Sequence, residues 1–412
     1  MAGLLMLMAW SAPVVAAMAA GLWLYFNVDP RYGRNLHWRI EPAEIDDAEL
    51  PAVVIVVPGR DEAEHLPTSL AELCEQDYPD LLVIFVDDAS TDATPAIAAE
   101  LKATYGERLE VVRNDVEPPA GWVGKPWAIE QGLRRLRAME RGGRARVAHL
   151  CFTDADLHWS ADCLRSAMAH AMAERADVTG LFPRLTFGSP IEAIPQVQMV
   201  TALGLALPFE AAMDPEVDDA ILGGGFILVK RGLYESIGGH EAVAGKVLED
   251  IELGRALKRA RGRLRIGHGP ALQWCRMYDG WADMWEGLTK NSYSAVRHNV
   301  WAMAGVVVAA VLLCVLTPAY AVGGLVWVWV SALTQPDAVA GDVRAWLTFA
   351  CGATAYFGGV RITNAVRKLL DLPAWYAFTM PIGVAVGCLF LMGSAWQYHT
   401  GGNRWKGRRY AG

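Results

Sequence analysis

Four long stretches without a charged residue set the first limit on what this chain can fold into. They run from Leu4 to Phe26, Ala302 to Gln335, Ala345 to Val360 and Leu372 to Tyr398. A helix needs about 20 apolar residues to cross a bilayer core, so the first, second and fourth are long enough and the third is marginal. The composition agrees. Of 412 residues, 53% are hydrophobic, with 16 Trp, and the excess lies at the two ends. The first stretch has two readings. Ala16-Ala17-Met18-Ala19-Ala20 offers the small residues of a signal-peptide cleavage site. A signal peptide opens on a basic region, however, and no Lys or Arg precedes Arg31. A retained anchor over residues 1–29 is therefore expected. Arg31, Arg34 and Arg39 follow it directly, which predicts that the next domain is cytoplasmic.

Residues 30–275 read as one catalytic domain. Ala52–Val57 is a short, continuous, β-branched run, the pattern of a strand buried on both faces. A helical pattern follows over Glu62–Gln76, with Leu66, Leu70 and Leu73 on one face. The alternation continues with a strand Leu81–Val86, a helix opening at Ala89–Asp92, a strand Leu109–Val112, a helix Trp127–Met139 and the apolar run Val147–Cys151. This predicts an α/β fold, a mostly parallel sheet with helices on both faces. Then come a helix Ala161–Glu174, a strand Val178–Pro183, the strand Phe226–Val229 with a helix start at Lys230, a helix Ile251–Arg259 opened by Val247–Asp250, and Leu264–Ile266 as the expected last strand. Ile194–Ala212 is more apolar than a surface helix should be. It reads either as core or as a membrane-facing lid.

Residues 276–300 mix Trp281, Trp285 and Tyr293 with charged side chains, which suits a bilayer interface or a helix closing the catalytic core. Residues 301–398 are the expected membrane region and 399–412 a basic tail. Arg361, Arg367 and Lys368, and Arg404, Lys406, Arg408 and Arg409, should all be cytoplasmic. Three crossings after a cytoplasmic domain would leave the tail outside. Either one segment does not cross, with Pro318 splitting 302–335 or 360–372 lying in the interface, or the charge rule breaks at the tail. Seven unpatterned cysteines argue against a disulfide framework or a zinc site. A net charge of −8 makes nucleic acid an unsuitable partner.

Three pairs of carboxylates border strand ends or helix starts: Asp87/Asp88, Asp154/Asp156 and Glu249/Asp250. Ligands of open α/β sheets bind at the carboxyl ends of strands. Asp154 and Asp156 are spaced to hold a hard cation such as Mg²⁺ or Mn²⁺, which shares its oxygen ligands with phosphates. Clustered carboxylates repel unless they hold cations or protons. Arg60, Lys125 and Arg276 are the nearby basic candidates. Together these suggest a nucleotide-diphosphate substrate. Each residue also has a plainer reading. Asp154 can cap a helix beside a solvated Asp156, Asp88 can form an Asx-turn, Asp250 can answer a helix dipole, and Lys125 can be a solvated loop lysine.

The chain resembles family 2 glycosyltransferases of the GT-A fold. Val57-Pro58-Gly59-Arg60-Asp61-Glu62 is similar to that family's Pro-Ala-Arg-Asn-Glu turn, and Val86-Asp87-Asp88-Ala89-Ser90-Thr91-Asp92 to its Val-Asp-Asp-Gly-Ser-x-Asp. Gly124-Lys125, Asp154-Ala155-Asp156 and Glu249-Asp250 follow in the family's order over roughly residues 52 to 270. The resemblance implies that Pro58 and Glu62 line the nucleoside pocket and Asp88 meets the base. Arg60, Lys125, Asp154 and Arg276 serve the nucleotide sugar, Asp154 and Asp156 hold the cation, and Asp250 is the general base. Gly224, Glu249 and Trp285 fall to the acceptor side. Processive synthases carry Gln-x-x-Arg-Trp. Here Gln273-Trp274-Cys275-Arg276-Met277 lacks the final Trp, which argues against polymer synthesis.

Within the family, Pro119–Lys125, Arg276-Met277-Tyr278, Thr289-Lys290-Asn291 and Trp405–Arg408 resemble the hopanoid-biosynthesis-associated group. That likeness implies a metal-dependent, inverting hexosyltransferase moving one sugar from a nucleotide sugar, a UDP-sugar first, to a lipid hydroxyl. Its expected place is the bacterial inner (cytoplasmic) membrane, as a multi-pass protein. A polyprenyl-phosphate or polysaccharide transferase is the alternative enzyme, and a lipid-binding scaffold the alternative without catalysis.

Overall fold

The computed structural model describes residues 2–29, 38–143, 147–206, 209–246, 248–334, 342–400, 403–405 and 408–410. Arg31, Arg34, Val247, Lys406 and Gly407, which entered the expectations above, lie outside the described residues. The chain divides into two compact units. One comprises His37–Leu185 and Leu207–Arg276, the other Met1–Leu36, Thr186–Ala206 and Met277–Gly412.

The first unit is built on a seven-stranded sheet. Its strands are β1 (Val53–Gly59), β2 (Leu81–Asp87), β3 (Leu109–Arg113), β4 (His149–Phe152), β6 (Val178–Phe182), β8 (Ile227–Lys230) and β9 (Leu264–His268), in the order β3-β2-β1-β4-β8-β6-β9. Pairing is parallel except at β8, which runs against both β4 and β6. The sheet is thus mixed, with one reversed strand. A strand buried on both faces reads the same in either direction, so the sequence pattern does not reveal the reversal.

Both faces of β1 are covered. Val54 and Val56 cluster with Ile129, Leu133 and Leu136 of the helix Gly124–Arg141, and the alternate residues Val53, Ile55 and Val57 are equally buried. Gly132 lets that helix lie against the sheet, since a Cβ there would come 2.8 Å from Val56 Cγ1. Three helices start or stop away from their expected bounds. Residues 62–65 form turns, and the helix begins at Leu66 with Pro67 in its first turn. The helix expected from Ala89–Asp92 begins at Thr94. The helix expected to open at Trp127 already begins at Gly124.

Leu264–His268 is not the last strand. β10 (Gln273–Cys275) pairs with β5 (His158–Trp159) and β7 (Arg184–Leu185) in a small second sheet. Strands of two or three residues carry no periodicity to read.

The second unit is helical. The helix Ala2–Val28 packs along the helix Val343–Leu369, where Trp23 lies over Gly358 and Gly359. Gly352 of the latter meets the backbone of the helix Thr317–Thr334, where a Cβ would come 2.5 Å from Ala321 N. Small residues at helix crossings are how bilayer helices approach closely. Among the described residues, three helices are long and apolar enough to cross a membrane: Ser11–Val28, Thr317–Thr334 and Ala374–Thr400. A fourth arises if Gly280–Val296 and Val300–Val315, bent by 108°, count as one span. The run 302–335 is interrupted at Leu316, just ahead of Pro318. The helix Val343–Leu369 is not among the candidate spans; it carries Arg344, Arg361, Arg367 and Lys368.

The apolar run 194–212 splits between the units. The helix Pro190–Ala206 belongs to the helical unit, where Gln198 packs on the place a side chain at Gly383 would need. The short helix Phe209–Met213 joins the sheet unit's core, where Phe209 stacks on Phe182 at 5.3 Å.

Candidate active site

The carboxyl ends of β1 and β2 carry two facing turns that are laced together. Asp61 N–H donates to Ser90 Oγ (2.9 Å) and Glu62 N–H to Thr94 Oγ1 (2.8 Å). Ala63 N–H donates to Asp92 Oδ2 (3.1 Å), and Thr91 N–H to Asp61 Oδ1 (2.7 Å). Both turns pass through the left-handed region at a non-glycine residue, Asp61 (φ 53°) and Ala89 (φ 56°). Such strain persists where surrounding bonds over-determine it. Ala89 stands where the family pattern has Gly. Gly59 is required by space, for a Cβ there would come 2.8 Å from the Phe85 ring.

Asp88 is buried. Its N–H donates to the Gly59 carbonyl at 2.9 Å, and its Oδ1 accepts from Asn114 Nδ2 at 2.7 Å. Asn114 follows β3 directly and was missed in the sequence, although its place at a strand's carboxyl end was the available signal. Asp87 turns inward, taking an ion pair from Arg113 and the Ser90 N–H at 3.0 Å. It supports the turn. Pro58 and Glu62 are half-buried at the β1 turn. Arg60 is half-buried, its Nε 3.8 Å from Asp61 Oδ2.

After β4 the chain delivers Asp154 and Asp156. Burial pushes the Asp156 carboxyl up, and Asp154 and Glu62 beside it push it the same way. Lys125, in the first turn of the helix Gly124–Arg141, joins the second carboxylate pair to the third. Its Nζ lies 2.5 Å from Asp154 Oδ1 and 3.2 Å from Glu249 Oε1. Burial works against the Lys125 ammonium, but Asp154, Glu249 and Asp250 outweigh it and raise its pKa.

The loop Gly223-Gly224-Gly225 closes this hub. Thr153 Oγ1 (2.7 Å) and Gln273 Nε2 (2.9 Å) both donate to the Gly225 carbonyl, which fixes the loop between β4 and β10. That is a role for Gln273 the sequence did not show. Gly224 N–H donates to Asp250 Oδ2 at 3.0 Å. A Cβ on Gly224 would meet Lys125 Nζ at 2.6 Å and Asp154 Oδ2 at 3.4 Å, so a side chain here would push the Lys125 ammonium aside.

Asp250 sits in the first turn of the helix Glu249–Arg259, with Oδ1 accepting its neighbour Ile251's N–H at 2.8 Å. Burial, then the adjacent Glu249, push its carboxyl up to about 6; Lys125 and the Ile251 bond pull the other way. A carboxylate with a raised pKa is a better proton acceptor near neutral pH. Arg276 is exposed at the end of β10. Its neighbour Cys275 is buried close to Asp156 and Asp154, which add to burial in pushing its thiol up to about 12. Trp285 lies in the helical unit, where its ring packs 5.9 Å from Trp281 and 5.6 Å from Phe390. The structure thus brings Glu62, Lys125, Asp154, Asp156, Gly224, Glu249 and Asp250 to one hub, with Asp88 on the adjoining turn.

Among the described residues, no group of three or more His, Cys, Asp or Glu side chains is arranged to hold a metal ion. Asp154 and Asp156 nevertheless fit a shared cation. They supply hard oxygen donors two residues apart just after β4. Such a cation would complete its shell with oxygens from substrate and water.

Residues 54–238 match the family model for glycosyl transferase family 2. That match covers less than half of the chain, and a likeness to glycosyltransferases that use nucleotide-sugar donors is what it supports. Among solved structures, the chain is similar to the mannosyltransferase PcManGT from Pyrobaculum calidifontis in complex with GDP-Man and Mn²⁺. Identity is 19%, coverage 95% of each chain and the TM-score 0.47. It is also similar to S. aureus TarS 1-349 in complex with UDP-GlcNAc, at 14% identity, covering 85% of this chain and 92% of that one, with a TM-score of 0.40. No curated protein matches the chain.

Proposed function

We propose that this protein is a membrane-bound glycosyltransferase that moves one sugar from a nucleotide donor to a lipid hydroxyl, with inversion at the anomeric carbon. The observation that carries the reading is Asp250. Two backbone N–H groups aim it, burial raises it into the range of a neutral-pH base, and Lys125 and Asp154 lie beside it. Glycosyl transfer to a hydroxyl needs a positioned group to take the acceptor proton as the oxygen attacks, and Asp250 is that group. A single displacement inverts the carbon. Asp88 and the Pro58–Glu62 turn hold the nucleoside, while Lys125, Arg60 and Arg276 answer the diphosphate. A divalent cation on Asp154 and Asp156, Mg²⁺ or Mn²⁺, neutralises charge on the leaving diphosphate when bound.

Three helices of spanning length and apolarity support an acceptor that stays in the bilayer. We infer a hopanoid or similar membrane lipid as acceptor and a UDP-sugar as the first donor to try, with Gly224 and Glu249 serving the acceptor side. The inferred place is the bacterial inner membrane, with the sheet unit in the cytoplasm. The test is a panel of nucleotide sugars incubated with purified protein and native membrane lipid, with products read by mass spectrometry. A glycolipid carrying one sugar is expected. Asp250→Asn should lower turnover by about 10²–10⁴-fold, the usual worth of a general base. A phosphate acceptor is already ionised, so near-normal turnover by Asp250→Asn would move the reading to a polyprenyl-phosphate transferase.

A further inference from the structure

We propose that Lys125 is the resident counter-ion of the Asp-x-Asp carboxylate, and that a divalent cation gains Asp154 only when a nucleoside diphosphate draws the Lys125 ammonium away. The proposal rests on the donor-and-cation reading given above. Lys125 Nζ sits 2.5 Å from Asp154 Oδ1, on the carboxylate that a cation would need. A second contact, 3.2 Å to Glu249 Oε1, spans Lys125 between the second and third carboxylate pairs. The Gly224 backbone borders the ammonium, for a Cβ built there would lie 2.6 Å from Lys125 Nζ. The ammonium therefore has a defined seat in the hub.

An ammonium and a dication on one carboxylate repel strongly at such separations. Metal alone must displace Lys125 from Asp154 and leave Lys125 beside a new positive charge. A diphosphate changes that balance. Lysine binds phosphate as a flexible point charge, so the ammonium can turn to the incoming diphosphate and release Asp154. The same movement frees Glu249, next to the proposed base. Metal and nucleotide then bind with positive coupling, and by linkage each tightens the other equally.

The test measures Mn²⁺ binding to the full-length protein in detergent by electron paramagnetic resonance of free Mn²⁺. It is run without nucleotide and with UDP or GDP, on the native protein, Lys125→Met, Lys125→Gln and Lys125→Arg. We expect weak Mn²⁺ binding by the native protein, tightened about tenfold or more by whichever nucleotide binds. Lys125→Met and Lys125→Gln should bind Mn²⁺ alone about tenfold more tightly than the native protein and show little tightening by nucleotide. Lys125→Arg, which keeps the charge, should resemble the native protein. Unchanged or weaker Mn²⁺ binding by both neutral variants, with nucleotide-dependent binding intact in the native protein, overturns the counter-ion role alone. No Mn²⁺ binding by any form, with or without nucleotide, overturns the donor-and-cation reading as well.

Discussion

At the scale of single residues, the site is set by how poorly its carboxylates are solvated. Asp250 is held above its usual value of 3.8, at about 6, by burial and by Glu249. As the proposed base, Asp250 acts in its ionised form. The acid limb of kcat/KM should therefore fall about tenfold per pH unit below about 6, in a pH–rate profile with donor saturating. Its effect on stability has the opposite sense to that of an ordinary salt-bridged aspartate. Because the folded value exceeds the unfolded one, ionised Asp250 costs stability at neutral pH. That cost is relieved as pH falls through about 6 toward 3.8. Ala89 is a second case. Its φ of 56° costs an L-residue about 1–2 kcal/mol, part of which a glycine would give back in unfolded-state entropy. Ala89→Gly should raise unfolding stability by about 0.5–1 kcal/mol in a denaturant titration of the purified protein. Asp88, Lys125, Asp154 and Asp250 were legible from residue type and place along the chain. The contact between Gly224 and Lys125 was not, because it joins positions far apart in sequence through space that only folding creates.

At the scale of elements, packing places the hub. The helix Gly124–Arg141 carries Lys125 at its first turn and Gly132 against Val56 and Val86. A side chain at 132 would separate helix and sheet and move Lys125 with it. Gly132→Val should lower stability by about 1–3 kcal/mol, as overpacked cores do, and weaken donor binding in the same preparation. The alternating strands and helices of the sheet unit were legible because a strand buried on both faces and a one-sided helix have different periods. Their ends were less so. Glu62 and Asp92 sit in helix-like sequence but in turns, since Ser90, Asp92 and Thr94 offer side-chain oxygens to the backbone of the facing turn. That choice depends on β1 and β2 being neighbours.

At the scale of the whole molecule, the chain combines a region similar to the glycosyl transferase family 2 model with helices of membrane-spanning length. Large apolar side chains remain exposed on those helices, among them Leu24, Trp329, Leu389 and Trp396. Water is a poor solvent for so much apolar surface, and lipid tails are a good one. The protein should stay with the membrane fraction after a carbonate wash at high pH and leave it only in detergent; release by the wash would remove the bilayer from this account. Hydrophobicity and its period are properties of the chain itself. The sequence alone therefore determined where apolar helices run, that a sheet lies between them, and which carboxylates end its strands. Tertiary structure decided that β8 runs backward, that Thr186–Ala206 groups with the helical unit, and that Lys125 rests between Asp154 and Glu249. Those outcomes depend on pairing and on charges meeting across space, and neither leaves a local pattern in the chain.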